Sequence, residues 1–330
     1  MSGHHLKAAV LATAVVVSLA PTLARGGLLT QNRCEGTVTA PAVFKSYNTH
    51  VLENLLFAYD SLWVADSTGQ RYARLGPDGA EHGSVEAIPA GGIAVGPDGL
   101  IYAGWGNSIA DSILGRGLSK VVRFDQADPS GTMETYAAGF DMANGLTFAP
   151  SGDLFVSNDV GEGPIRIPRS DPSAWAPFGN VWGTNGLVVD PAGENLYAAI
   201  TFDQRSPIER IPLSNPSGHA PAAFLAFGVA SLEPAVYPHP TRVTPLLGVK
   251  GLDDMTRAAD GTLYVVANGT GELLRVNPLT GDACLIVSGL GNPSSVRIAP
   301  GGSAFDTSGE ALTFYITEFR GAIKTVGYTP

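Results

Sequence analysis

Apolar and polar positions along this 330-residue chain fall into short alternating runs joined by turns. From Asn144 a polar start leads into Leu146-Thr147-Phe148, a Pro150-Ser151-Gly152 turn, and a second apolar run, Leu154-Phe155-Val156. This pattern predicts a β-hairpin. It recurs from Gly91 to Gly99, from Asn185 to Gly193 and from Asp253 to Gly261. In all four copies the lead residue stands eight positions before the turn glycine. Two looser copies flank them: one starts at Glu53 with a shorter turn, the other at Asn292 with a longer, Gly-rich turn leading to Thr313.

No copy can bury its apolar faces alone, so the units must pack side by side. Six sheet units at irregular spacing predict an all-β fold, a six-bladed β-propeller. The expected division is a signal peptide over 1–24, an extended segment over 25–50 that closes the ring, and the propeller over 51–330. The strings Gly36 to Ala40 and Val43 to Tyr47 are candidates for an outer strand of the last blade. The Gly/Ser-rich insertion Gly104 to Ser119 reads as a loop at a channel mouth. The Pro/Ala-rich stretch Ser214 to Pro245 reads as a strand plus a substantial loop. No sustained 3.6-residue apolar period follows the first residues.

In a propeller the inner strand of every blade starts at the same end of the central channel, so the lead positions form a ring: Glu53, Gly91, Asn144, Asn185, Asp253 and Asn292. Apart from Gly91, every member offers side-chain oxygen, and none is Cys or His. Oxygen donors in that number suit calcium. Glu53, Asn144, Asn185 and Asp253 are the candidate ligands, with Asn292 and Asp254 as additional candidates or as residues that hold the ligands in place. One ion is expected in the channel, with a second as a further option. Rival readings stand beside these. Asn-Gly is a common turn signal, and Asp253-Asp254 also fits a turn-capping pair.

Charge and composition sharpen this. A net charge of −10 argues against a nucleic-acid partner. Gly 41 and Pro 24 make up about a fifth of the chain, as many turns require. Ala8 to Ala20 is apolar, and small residues follow at Thr22-Leu23-Ala24, which reads as an export signal, with a retained anchor as the alternative. It is too short to span a bilayer as a helix. With the signal removed, a secreted or extracytoplasmic protein without stable membrane insertion is expected. In that setting Cys34 and Cys284, the two cysteines, are expected to form a disulfide that locks the ring, against the alternative of two unrelated buried thiols. His50, His82, His219 and His239 show no metal spacing and read as surface or loop residues.

These repeats resemble the senescence marker protein/gluconolactonase family of six-bladed propellers, whose wider superfamily includes diisopropyl fluorophosphatase and the paraoxonases. The most specific stretches are Asn185-Gly186-Leu187 and Leu252-Asp253-Asp254-Met255 with the following Asp260-Gly261. The resemblance implies a catalytic calcium in the channel, held by Glu53, Asn144, Asn185 and Asp253, with Asp253 as base or nucleophile. It implies a small-molecule ester or lactone substrate, and organophosphates as a related class. The family's Arg-x-Asn-Asp-Gly motif for sugar lactones is missing; the chain has Pro89-Ala90-Gly91-Gly92-Ile93 there. A non-enzymatic propeller that binds a protein or glycan, with calcium as a structural plug, is the competing class.

Overall fold

The computed structural model describes residues 32–203, 205–225, 250–307 and 312–330. The expected signal over 1–24, His239 and the loop beyond residue 225 lie outside them. Six antiparallel sheets form among the described residues, and they are the blades of a β-propeller. Their inner strands are Leu52–Ala58, Ala90–Val95, Leu146–Phe148, Thr184–Val189, Leu252–Arg257 and Pro293–Ile298. Blades 1 to 5 each add three further strands in sequence order.

Blade 6 is built from both ends of the chain. Pro293–Ile298, Leu312–Glu318 and Ala322–Thr329 supply three strands. Ala42–Ser46 and Thr37–Val38 then pair antiparallel with the last of them. Just before these, Cys34 bonds to Cys284 on the outer strand of blade 5, Ala283–Ser288.

The hairpin turns form for a local reason. Gly99, Gly152, Gly193 and Gly261 have φ between 69° and 90°, where a side chain would be strained. Each closes a turn by donating its N–H three residues back, as Gly152 does to Ala149 at 2.8 Å.

Apolar side chains of neighbouring blades interlock, so the interior is a ring of six clusters, each shared by two blades. The cluster closing the ring joins Leu52, Leu55, Leu62 and Val64 of blade 1 to Phe305, Tyr315 and Ile323 of blade 6. The 104–119 insertion, expected to be a loop, carries a short helix, Ile109–Ile113, capped by Ser108. Five residues are too few to show a helical period. No helix among the described residues is long and apolar enough to cross a membrane.

Candidate functional site

Five of the six inner strands carry a one-residue bulge close to their start. It falls between Leu52 and Leu55, Ala90 and Ile93, Thr184 and Leu187, Leu252 and Met255, and Pro293 and Ser295. A bulge sets two residues against one and re-aims a side chain. Glu53, Gly91, Asn185 and Asp253 all lie inside these bulges. Asn144 precedes its strand; its N–H donates to the Ser157 carbonyl at 3.2 Å, and Gly145 N–H donates to Ser157 Oγ at 2.6 Å.

The glycines that follow the two asparagines are not in turns: neither has the positive φ a turn signal implies. They make room between blades. A Cβ on Gly145 would stand 2.6 Å from the Asn185 carbonyl oxygen, and one on Gly186 would stand 2.7 Å from the Asp254 Cα.

Four carboxylates from three blades, Glu53, Asp159, Asp253 and Asp254, feel one another at this mouth. Burial, then the nearby Asp159 and Asp254, push Glu53 up to about 8. Burial, then Glu53, Asp254 and Asp159, raise Asp253 well above the ordinary carboxylate range, against a hydrogen bond from Asn268 Nδ2 to Asp253 Oδ2 at 3.2 Å. Burial pushes Asp159 up to about 6, against hydrogen bonds from its own backbone and the Asn144 side chain. Asn144 Oδ1 and Asp159 Oδ1 are both buried without a hydrogen-bond partner. Asn185 spends its Nδ2 on Thr201 Oγ1 at 3.2 Å, and Thr201 in turn donates to the Leu252 carbonyl.

Other candidates sit differently. Both oxygens of Asp254 are engaged: Oδ1 accepts Met255 N–H at 2.8 Å, while Oδ2 accepts Ser295 Oγ and Arg297 Nη1, each at 2.5 Å. Asp254 therefore ties blade 5 to blade 6 behind the cluster. Asn292 adopts a left-handed φ of 59° and donates Nδ2 to the Asn268 carbonyl at 3.2 Å. At blade 2, where Gly91 has no side chain, the buried Tyr72 hydroxyl accepts Gly91 N–H at 3.0 Å. His50 is half-buried and bonds the buried Asp66 through Nδ1 at 2.9 Å. His219 contacts Glu209 at 3.3 Å.

Asp159 is the residue the register missed. It lies just past the second strand of blade 3, not at the start of an inner strand. A signal existed, since second strands in other blades also end near polar residues: Asp66, Thr201, Asn268 and Glu318. The 109–113 helix reaches the same place, with Ser112 Oγ donating to Asn158 Oδ1 at 3.0 Å. It leaves Ile109, Ile113, Leu114 and Leu118 exposed.

The donors here are carboxylates and carboxamides only, the chemistry of a hard cation. Among the described residues no three His, Cys, Asp or Glu side chains converge closely enough to hold an ion by themselves. Any shell around an ion here would therefore also have to draw on carboxamide oxygens, such as those of Asn144 and Asn185. Repulsion between carboxylates acts over longer distances than ligation, so the two observations are compatible.

Solved structures share this architecture at low identity. A gluconolactonase from Xanthomonas campestris is 14% identical, covers 91% of this chain and 97% of its own, and has a TM-score of 0.61. The fold is that of the gluconolactonase propellers. A virginiamycin B lyase from Staphylococcus aureus is 13% identical over 89% of this chain and 99% of its own, with a TM-score of 0.54. A PQQ-bound aldose sugar dehydrogenase from Streptomyces coelicolor is 17% identical over 89% and 99%, with a TM-score of 0.56. No family model and no curated protein matches the chain. A lactonase, a lyase and a dehydrogenase share this fold, so function must be argued from the mouth of the channel.

Proposed function

We propose that this chain is an exported, calcium-dependent hydrolase of esters or lactones, with organophosphate esters as a related substrate class. One observation carries the reading. Two buried oxygens, Asn144 Oδ1 and Asp159 Oδ1, have no partner at a mouth where Glu53, Asp159 and Asp253 repel one another. Buried polar atoms are nearly always paired, and a hard cation would satisfy the oxygens and the charge together. Glu53, Asn144, Asn185 and Asp253 would hold it, with Asp159 adding charge beside them. Bound calcium supplies Lewis-acid polarisation of a carbonyl or phosphoryl oxygen.

The chain's own residues supply the rest. Asp253, whose proton affinity burial and Glu53 raise, suits the role of general base on water, or of nucleophile on the substrate. Asn268 Nδ2 orients its Oδ2. Ile113 and Leu114, on the segment tethered through Ser112, offer an apolar rim for an acyl or aryl group. Blade 2 offers Gly91 and Gly92 at the mouth, with no side chain to bind sugar hydroxyls, which favours less polar substrates. The Cys34–Cys284 disulfide supports export, because such bonds persist in oxidising compartments.

The test is turnover of aryl esters and lactones with and without a chelator, in the native chain and in Asp253→Asn. Chelation should abolish activity, and the substitution should lower kcat about a hundredfold or more. If no substrate turns over and Asp253→Asn alters only stability, the hydrolase reading fails. The mouth would then belong to a propeller that binds a protein or glycan around a structural ion.

A further inference from the structure

We infer that the opposite mouth of the channel is a second binding site, which takes a small organic carboxylate on Arg257. The inner strands all run the same way, so the carboxylate cluster lies at their starts and a different set of residues surrounds their ends. There a cavity of about 570 Å³ opens, lined by the second halves of the inner strands and by the turn residues Pro150 and Pro191. That volume lies within the range of small-molecule pockets, about 300–1,000 Å³.

Its two sides differ in chemistry. Blades 1 to 4 contribute Leu56, Val95, Phe148 and Val189, whereas blades 5 and 6 contribute Arg257 and Arg297. Arg297 is already paired with Asp254 at 2.5 Å. Asp190, the carboxylate at the rim, is committed to its own turn: Oδ1 accepts Glu194 N–H at 2.8 Å and Oδ2 accepts Asn195 Nδ2 at 2.7 Å. Arg257 donates Nε to the Val189 carbonyl at 2.7 Å and Nη1 to the Ala258 carbonyl at 3.4 Å. No carboxylate among the described residues lies within ion-pair distance of it. It is a half-buried guanidinium fixed by carbonyls, without an ion-pair contact among the described residues.

A guanidinium held in this way is a ready receptor for a carboxylate. The nearby Asp190 disfavours a dianion, which selects a monoanion over the dianion of phosphate. Val95, exposed at the rim, offers an apolar contact that favours an organic body over acetate. The site does not depend on how the other mouth is read, because none of its residues belongs to the calcium shell proposed there.

Benzoate is the probe, titrated calorimetrically into the full chain in the presence of a chelator, so that a cation at the other mouth contributes nothing. Saturable binding at one site is expected. Benzamide, acetate and inorganic phosphate should each bind at least about tenfold more weakly, since benzamide lacks the charge and acetate and phosphate lack the apolar body. Arg257→Gln should weaken benzoate about tenfold or more. Val95 is about a third exposed at the rim, so Val95→Glu should fold normally and abolish binding by placing a competing carboxylate there. If Arg257→Gln does not fold, Val95→Glu decides alone. Absence of saturable binding, wild-type affinity in Val95→Glu, or phosphate binding as well as benzoate would each overturn the inference.

Discussion

A buried carboxylate pressed among others is stable only with a proton or a cation beside it. At the mouth of this propeller the consequence is a pH dependence of definite sign. Glu53 moves from an ordinary value of 4.5 to about 8 on folding, and Asp253 and Asp159 move in the same direction. Between those values the folded chain holds more protons than the unfolded one, so stability falls as pH rises. The contribution is full below about 4.5 and lost as pH passes 8. Thermal unfolding of the chelated protein should therefore show Tm dropping from pH 5 to pH 8. Calcium should restore more stability at pH 8 than at pH 5, and Glu53→Gln should flatten the chelated profile. A chelated native protein whose Tm does not fall across this range would contradict the cluster. Sequence register singled out Glu53, Asn144, Asn185 and Asp253, and the fold places three of them in equivalent strand-start bulges. The register did not single out Asp159, because it covers only the starts of inner strands, and the closeness of Asp159 to Glu53 depends on how blades 1 and 3 face each other across the channel.

At the scale of the strand, local chemistry was readable and cross-blade geometry was not. The turn glycines announced the hairpins because a left-handed φ is a property of a few adjacent residues. The bulges at the strand starts depend on partner strands, so no single run displays them. Asn-Gly was ambiguous for the same reason. As a turn it would need a positive φ; as a close approach it needs an empty space next to another blade. Gly186 is the second kind, with Asp254 Cα and Met255 N each 2.7 Å from where a Cβ would stand. Gly186→Ala should destabilise the protein by about 1–3 kcal/mol, the usual cost of overpacking. It should also weaken calcium binding, since it pushes the blade 5 bulge that carries Asp253. Denaturant unfolding and calcium titration check the two effects, and a variant with native stability would show that the blades give way easily.

For the whole molecule, the decisive contact is where the ring meets itself. Both chain ends build blade 6, and the ring closes through Ala42–Ser46 and Thr37–Val38 against Ala322–Thr329. The disulfide does not hold blade 6 to itself. It carries the N-terminal segment onward to blade 5, where Cys34 N–H also donates to the Leu285 carbonyl at 2.9 Å. Opening the ring therefore requires breaking the strand pairing and freeing a crosslink that spans 250 residues. For so long a loop the chain-entropy contribution is about 5 kcal/mol. Reduction, or Cys34→Ser, should lower Tm by several degrees. The bond lies at the outer edge of the blades, away from Glu53 and Asp253, so calcium affinity of the still-folded protein should not change. Peptide mapping without reductant should recover Cys34 and Cys284 in one linked pair. Two free thiols, or a Tm indifferent to reduction, would mean that strand pairing alone closes the ring. Calcium affinity falling together with Tm would mean instead that the two ends and the channel mouth are mechanically one unit.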